Sequence, residues 1–273
     1  MSSQTNWILF IFLLLLAGCY EQKEGCLDPN ALNFDVSADK DCCCTYPNLK
    51  LLVNYKANDS TSFSYVNYYT DAGGHVYKIN SFSFFLTHLE VQDDSDMWID
   101  VKDSSEYWIY GGANEPEKVL VSENVSLIKH DVLSYDLGSI KGGGIFRKVS
   151  LGIGLDSLQE RVIPDSLSEN HPLGLGVETM WRAPKTYLQQ RWIVVTDTSA
   201  ANYKIDTFEV MGERKGVDMV YNPSYLLSKG TDYKMKIAIN ITKWLETVDW
   251  HAPKSEISQE LVNNSSSALS LVQ

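Results

Sequence analysis

Residues 68–79, YYTDAGGHVYKI, and residues 82–92, FSFFLTHLEVQ, hold the pattern that decides the fold. Aromatic and β-branched side chains fill both runs, as the half-buried surface of a β-sheet prefers. The tetrapeptide at 71–74 supplies glycines that tolerate positive φ, so it predicts a tight reversal between two tyrosine-rich strands. The pattern therefore indicates a β-hairpin and antiparallel β-structure.

Similar runs recur along most of the chain, broken by Gly, Asn, Asp and Pro. Helix is expected only around Tyr225–Ser228 and in the tail after Pro253. The segments that fit strands are Leu49–Tyr55, Phe63–Tyr69, Val76–Ile79, Phe82–Gln92, Met97–Val101, Tyr107–Tyr110, Leu127–Leu137, Phe146–Ile153, Tyr187–Thr196, Tyr203–Met211 and Tyr233–Ile241. Many short strands with little helix predict an all-β fold, an antiparallel β-sandwich with long loops.

The amino-terminal residues have the features of a bacterial lipoprotein signal peptide. The first 19 residues carry no charged side chain, and residues 7–17, WILFIFLLLLA, are too short a run to span a bilayer comfortably. Residues 16–19, LAGC, follow the lipobox pattern, in which the cysteine is acylated after cleavage. We therefore predict a signal peptide over 1–18, lipidation of Cys19 and a lipidated tether over 19–24. The alternative is an uncleaved anchor with a chance cysteine.

The residue after Cys19 bears on location. Tyr20, where Asp would signal retention at the inner membrane, predicts a lipid anchor in the outer membrane. The domain would then face the periplasm or the cell surface. Two or three acyl chains hold a protein on a membrane without a transmembrane helix.

The charge of the chain limits its partners. The formal net charge of −12 belongs entirely to the residues after the signal peptide. A body this acidic argues against polyanions, so no nucleic-acid partner is expected. The sequence has no Gly-rich phosphate loop, G-x-S-x-G elbow or zincin motif. We therefore expect a binding or accessory protein and no enzyme, although the sequence leaves an uncharacterised hydrolase open.

A cysteine-rich module over 25–47 precedes the strand-rich domain, which spans 48–273. The module resembles a short repeat of exported and adhesive bacterial proteins, GCxDPxAxNYDPxAxxDDGSCxYP, whose last cysteine precedes tyrosine. This resemblance implies a Cys26–Cys44 disulfide. Cys42 and Cys43 then form a strained vicinal disulfide, two free thiols or an intermolecular link.

The module is also rich in side-chain oxygen. Calcium favours many carboxylate and carbonyl ligands at flexible spacing, so a calcium site is one interpretation. The other is a loop of Asx turns, in which these side chains cap their own backbone. The residues concerned are Asp28, Asn30, Asn33, Asp35, Asp39 and Asp41.

Four short motifs follow one another along the chain: residues 68–79, residues 82–90, residues 143–157 (GGIFRKVSLGIGLDS), and His171-Pro172-Leu173 followed by Met180-Trp181 and Tyr187. Through these motifs, residues 48–273 resemble the MbnP-like family, periplasmic and surface proteins associated with methanobactin and copper. The resemblance implies copper binding by histidines together with an oxidatively modified tryptophan. It also implies a di-haem peroxidase-like partner.

The copper ligands are sought among five scattered histidines, because soft or borderline ligands such as His and Met suit copper. No pair of these histidines has a spacing that forms a metal site by itself. The segments 51–56 and 203–208 lack the histidines that family members commonly carry there. The alternative function is therefore a surface structural or interaction lipoprotein that has lost the metal site. The candidate metal ligands are His171, Met180 and Trp181 first, then His251 beside Trp250, and His88.

Overall fold

The computed structural model of the chain describes residues 20–101, 104–112, 115–175, 180–182, 185–199 and 203–272. The predicted signal peptide and the predicted lipidation site at Cys19 lie outside these residues. None of the helices in the described ranges is both long enough and apolar enough to cross a membrane.

The secondary structure is mostly β-strand. The strands are β1 Glu24–Gly25, β2 Lys40–Asp41, β3 Asn48–Lys56, β4 Tyr69–Thr70, β5 Val76–Asp93, β6 Trp98–Asp100, β7 Ser104–Tyr110, β8 Pro116–Ser122, β9 Val125–Lys129, β10 Ser134–Ser139, β11 Gly144–Ile153, β12 Trp181–Arg182, β13 Thr186–Tyr187, β14 Gln190–Asp197, β15 Lys204–Val210, β16 Lys215–Leu227, β17 Tyr233–Asn240 and β18 Leu269–Val272. The helices are α1 Ile241–Trp244 and α2 Lys254–Ser265.

Two sheets form the predicted all-β sandwich. The larger sheet has the order β15, β14, β5, β11 and β16, and β4, β6 and β9 also pair with β5. The smaller sheet has the order β10, β3, β17 and β18. Within it β3 and β17 are parallel, with Tyr233 beside Leu49 and Asn240 beside Lys56. The predicted sandwich is confirmed, and this pair within it is parallel, because strands so far apart in sequence are joined by no hairpin and can run in either direction.

The main core lies between the two sheets. Along β3, Leu49, Leu51 and Val53 are buried and alternate with more exposed residues, since successive side chains of a strand point to opposite faces. They share one hydrophobic cluster with Phe82 and Phe84 of β5. Burying each such side chain contributes about 1.5–3 kcal/mol, so this cluster is the main source of stability.

A second, smaller core explains why residues 82–92 are apolar without strict alternation. Phe85 points to the face opposite Phe84 and joins a separate cluster with Ile109 of β7 and Val121 of β8. Met180 and Tyr187 belong to the same cluster. β5 is the central strand of the larger sheet, and its two faces contribute to the two cores.

Several predicted elements have different limits in the structure. The two runs at 76–79 and 82–92 form the single strand β5, and the helix predicted after Pro253 is confirmed as α2. The run 63–69 is mostly loop. Its aromatic side chains pack on each other, with the rings of Phe63 and Tyr69 stacked at 4.8 Å between centroids, and its backbone forms no long strand. The run 127–137 is broken into β9 and β10 by a turn.

The helix predicted around Tyr225–Ser228 was wrong. Residues 225–227 are the end of β16, where Tyr225 lies beside Phe146 and Leu226 beside Ile145 of β11. The ring of Tyr225 also packs 4.9 Å from that of Tyr233, between ring centroids. Strand pairing within the larger sheet and aromatic packing onto the smaller sheet therefore outweigh the local helix preference.

The cysteine-rich module contains the predicted Cys26–Cys44 disulfide, and Cys42 and Cys43 are free thiols. Its oxygen-bearing side chains accept hydrogen bonds from nearby backbone N–H groups. Asp28 accepts from Asn30 at 2.8 Å, and Asp35 accepts from Ser37 at 2.9 Å. These contacts are those of the Asx-turn interpretation, and calcium binding by the module stays a prediction.

Candidate metal centre

Four side chains from two distant loops converge on one point of the surface. Asp71 and His75 lie in the reversal between β4 and β5, and Asp249 and His251 lie in the turn between α1 and α2. One ligand atom from each residue lies within 4.8 Å of the corresponding atom of every other one. Two imidazoles and two carboxylates, all suitable metal ligands, therefore form one cluster.

Asp71 joins the two loops. Its side chain is fully buried, and its two oxygens accept hydrogen bonds from His75 N at 2.7 Å and from Trp250 N at 3.1 Å. The backbone N–H of Ala72 donates to the Val248 carbonyl at 3.1 Å, which adds a second link. The relative position of the two histidines is thus set by hydrogen bonds to one buried carboxylate.

The glycines of the reversal make room for the second carboxylate. Gly74 has φ of +85°, a conformation that glycine adopts without steric cost. A Cβ atom at Gly73 would lie 2.6 Å from both Cγ and Oδ2 of Asp249, far closer than van der Waals contact allows. Asp249 Oδ1 also accepts a hydrogen bond from His251 N at 2.9 Å. A glycine at position 73 therefore lets the Asp249 carboxylate lie against the hairpin.

The two imidazoles lie above these carboxylates. His75 Nδ1 is 3.4 Å from Asp71 Oδ1 and 3.4 Å from Asp249 Oδ1. His251 Nδ1 is 3.9 Å from Asp71 Oδ2 and 3.9 Å from Asp249 Oδ1. The ring centroids are 3.9 Å apart, and both side chains are 45% exposed. Solvent and ions therefore reach the imidazoles directly, while Asp71 stays buried beneath them.

The spacing of these atoms fits a metal ion. Ligands held about 2.0–2.2 Å from an ion lie roughly 3.3–3.6 Å from one another in a tetrahedron. In the square plane that Cu(II) prefers, neighbouring ligands lie roughly 2.8–3.1 Å apart and opposite ligands roughly 4.0–4.4 Å apart. The two distances from His75 Nδ1, both 3.4 Å, and the two from His251 Nδ1, both 3.9 Å, lie within the span of these two arrangements. His75 approaches Oδ1 of Asp71, whereas His251 approaches its Oδ2. The residues present therefore fit a bound divalent transition metal.

Trp250 anchors the His251 turn in the core. Trp250 and His251 lie in a turn and not in a strand, so the alternation of side chains between the two faces of a strand does not apply to them. The Trp250 ring is buried and packs on Tyr77 of β5 and Phe208 of β15, with centroids at 5.8 and 4.8 Å. Within the described ranges, its Nε1 atom is buried without a hydrogen-bond partner.

The first group of predicted metal ligands lies elsewhere, beside the smaller core. His171 Nδ1 accepts a hydrogen bond from Leu173 N at 3.1 Å, and its Nε2 lies 3.3 Å from the Tyr107 hydroxyl. Met180 is completely buried. Trp181 packs edge-on against Tyr187, with ring centroids 4.6 Å apart. In these contacts His171 forms hydrogen bonds, and Met180 and Trp181 pack in or beside the smaller core. Metal binding by these three residues stays a prediction.

His88 forms an isolated pair with a carboxylate. It has φ of +49° within β5, and its Nε2 lies 2.6 Å from Asp156 Oδ2. Burial would raise the pKa of Asp156, but hydrogen bonds from His88 and from the N–H groups of Gln159 and Leu158 hold that pKa below its usual value. In the described part of the chain, neither His88 nor His171 belongs to a cluster of three or more His, Cys, Asp or Glu side chains.

Sequence reasoning found His251 but missed His75, Asp71 and Asp249 as its neighbours. The two halves of the cluster are separated by most of the domain, so no spacing motif connects them. A weaker signal is present, since each half carries an aspartate shortly before a histidine: DAGGH at 71–75 and DWH at 249–251.

Comparison with protein-family models and with curated proteins finds no match. Among solved structures, the chain is similar to MbnP from Methylosinus trichosporium, with 11% sequence identity and a TM-score of 0.45. The similarity covers 75% of this chain and 79% of that one. The family resemblance noted in the sequence is to the family named after MbnP.

Proposed function

We propose that this chain is a lipid-anchored extracytoplasmic protein that binds one Cu(II) ion through His75, His251, Asp71 and Asp249. The observation that carries the proposal is the convergence of four ligand atoms within 4.8 Å from loops far apart in sequence. Its role is to hold the ion outside the cytoplasm as an accessory to copper handling, without catalysing a reaction.

Copper is chosen for two reasons. Among the divalent first-row metals, Cu(II) binds a given set of nitrogen and oxygen ligands most tightly. The family resemblance of the sequence implies the same metal. The divalent state is preferred to Cu(I) because the cluster offers imidazole and carboxylate and no sulfur ligand.

A titration of the chain without its signal peptide tests this proposal, with Cys19→Ser, Cys42→Ser and Cys43→Ser introduced so that no free thiol binds or reduces Cu(II). We expect one equivalent of Cu(II) to bind, with nitrogen couplings from two imidazoles in the electron paramagnetic resonance spectrum. Excess Zn(II) should compete only weakly, as the order of affinities requires.

The His171→Ala variant is the matched control, because it removes a histidine of the other predicted ligand group and leaves the cluster intact. Its stoichiometry and spectrum should equal those of the unaltered chain. Loss of copper from this variant would move the site to His171, Met180 and Trp181. Absence of stoichiometric uptake by the unaltered chain would favour a surface interaction protein without a metal.

The proposed anchor at Cys19 has its own test. Cells fed an alkyne-tagged fatty acid should label the chain, and a Cys19→Ala variant should carry no label and remain in its uncleaved form. Two or three acyl chains give stable membrane attachment, whereas one chain gives only reversible binding. An unlabelled wild-type chain would rule out the anchor while leaving the copper proposal untouched.

A further inference from the structure

The cysteine-rich module carries free thiols on two neighbouring residues. Cys43 is exposed and Cys42 is partly exposed, so both are open to solvent and to ions. Cys26 and Cys44 of the same module are joined in a disulfide and offer no thiolate. The thiol chemistry of the module therefore belongs to Cys42 and Cys43.

The two sulfur atoms lie on the same side of the chain. Cys43 has φ of +59°, a left-handed conformation that residues other than glycine seldom adopt. This conformation removes the alternation by which neighbouring side chains of a strand point to opposite faces. The thiols contact each other, and the hydrogen bond between them is the main reason why the pKa of Cys42 is raised to about 11. The pair is thus arranged to hold one ion between two sulfur atoms.

Hydrogen bonds fix the backbone of this pair. The N–H of Cys42 donates to the Gly25 carbonyl at 3.0 Å, and Asn33 Nδ2 donates to the Cys43 carbonyl at 2.7 Å. The next residue, Cys44, is tied down by its disulfide. A strained residue persists only where its surroundings hold it, so the module positions both thiols before any ligand binds.

A direct disulfide between the two neighbours is disfavoured by geometry. Their peptide bond is trans, and the Cα atoms on either side of a trans peptide lie about 3.8 Å apart. The Cα atoms of a disulfide usually lie about 4.4–6.8 Å apart. An ion between the sulfur atoms lengthens the bridge, because two metal–sulfur bonds of about 2.3 Å replace one S–S bond. The pair is therefore better suited to chelate an ion than to close on itself.

The atoms around the thiols favour a soft ion that needs few ligands. Thiolates suit Cu(I) and Zn(II), whereas calcium and magnesium take oxygen ligands. The carboxylate beside the pair is that of Glu24, whose Oε2 lies 4.0 Å from Cys42 Sγ and whose Oε1 lies 2.6 Å from Lys40 Nζ. Structural Zn(II) sites almost always have four ligands, and Cu(I) is satisfied by fewer. Two thiolates with one carboxylate already engaged by a lysine therefore fit Cu(I) better than Zn(II).

We propose that Cys42 and Cys43 form a second metal site, which binds one Cu(I) ion through both thiolates. On binding, two S–H bonds break, two Cu–S bonds form and the two protons pass to solvent, while copper keeps its oxidation state. The site shares no residue with the cluster of His75 and His251, so it stands independently of the proposed Cu(II) centre.

The test uses the chain without its signal peptide, with Cys19→Ser introduced so that Cys42 and Cys43 are its free thiols. Cu(I), kept reduced by ascorbate without oxygen, is titrated in competition with a coloured Cu(I) chelator of known affinity. We expect one equivalent to bind and an ultraviolet thiolate-to-copper absorption band to appear. Alkylation of both thiols by iodoacetamide should slow at least about tenfold, since the bound thiolates are no longer free nucleophiles. Zn(II) at the same concentration should leave the alkylation rate unchanged.

Two double variants locate the site. Cys42→Ser/Cys43→Ser should bind Cu(I) at least about 100-fold more weakly, because losing the ligands costs more than the roughly 10–100-fold loss caused by removing an outer-shell partner. His75→Ala/His251→Ala is the matched control and should bind Cu(I) with unchanged affinity. Peptide mapping without reduction checks that the disulfide of the module is intact in each protein.

Three results would overturn the proposal. They are an unchanged Cu(I) affinity in the double serine variant, no uptake of Cu(I) by the chain with both thiols, and a disulfide joining Cys42 to Cys43 in the protein isolated from cells. The Cu(II) titration uses a chain without these thiols, so its outcome is separate from that of the Cu(I) titration.

Discussion

The double variant His75→Ala/His251→Ala is expected to lose stoichiometric Cu(II) binding. It removes both nitrogen ligands of the cluster and leaves two carboxylates, of which Asp71 already accepts two backbone hydrogen bonds. The affinity should therefore fall by more than the roughly 10–100-fold that loss of an outer-shell partner costs at a metal site. A competition titration against a chelator of known affinity measures the loss.

The fold should survive this change, because both histidine side chains are 45% exposed. Circular dichroism of the double variant should therefore match that of the unaltered chain. Gly73→Ala is a finer companion variant, since it keeps all four ligands but places a Cβ atom 2.6 Å from the Asp249 carboxylate. Displacement of that carboxylate should weaken copper about tenfold. Copper bound by the double variant with unchanged affinity would exclude the cluster as the site.

Trp244→Ala is expected to reduce the free energy of unfolding by about 3–5 kcal/mol, the usual cost of removing a large aromatic side chain from a core. Trp244 is fully buried at the end of α1, and its ring packs on Phe84 and Trp192 with centroids at 5.0 and 5.4 Å. Its Nε1 also donates to the Leu261 carbonyl of α2 at 2.8 Å. The variant therefore loses core packing together with the link between the helices and the larger sheet.

Urea unfolding followed by tryptophan fluorescence measures this effect. Trp108→Ala is the matched control, because Trp108 lies on β7 with 43% of its surface exposed. Its loss should cost less than about 1 kcal/mol, as is usual for substitutions away from the core. A loss of less than about 1 kcal/mol in Trp244→Ala, as in Trp108→Ala, would show that Trp244 does not hold the core together.

The turn that carries Asp249 and His251 follows α1 directly, so we also expect copper binding to weaken in Trp244→Ala.

The candidate site was only partly predictable. His251 was a candidate from the sequence, but its partner His75 was assigned no role beyond a place in the hairpin motif. A metal centre built on one helix or strand leaves a spacing pattern, whereas this cluster joins two loops that meet only after folding. The loop at residues 63–69 was also missed, since its aromatic residues were assigned to a strand. The structure shows instead that Phe63 and Tyr65 form a loop cluster beside Tyr55.

Local sequence was sufficient wherever neighbouring residues decide the conformation. It determined the all-β class through runs such as 82–92, the reversal at 71–74 through its glycines, and the helix after Pro253. The Cys26–Cys44 disulfide was instead implied by the resemblance of residues 25–47 to a short repeat. Tertiary structure alone decided the parallel pairing of β3 with β17, the strand conformation of Tyr225–Leu227 and the meeting of His75 with His251. The physical reason is range: turns and strands form from contacts a few residues apart, whereas sheet partners and metal ligands are selected by the burial that the whole chain achieves.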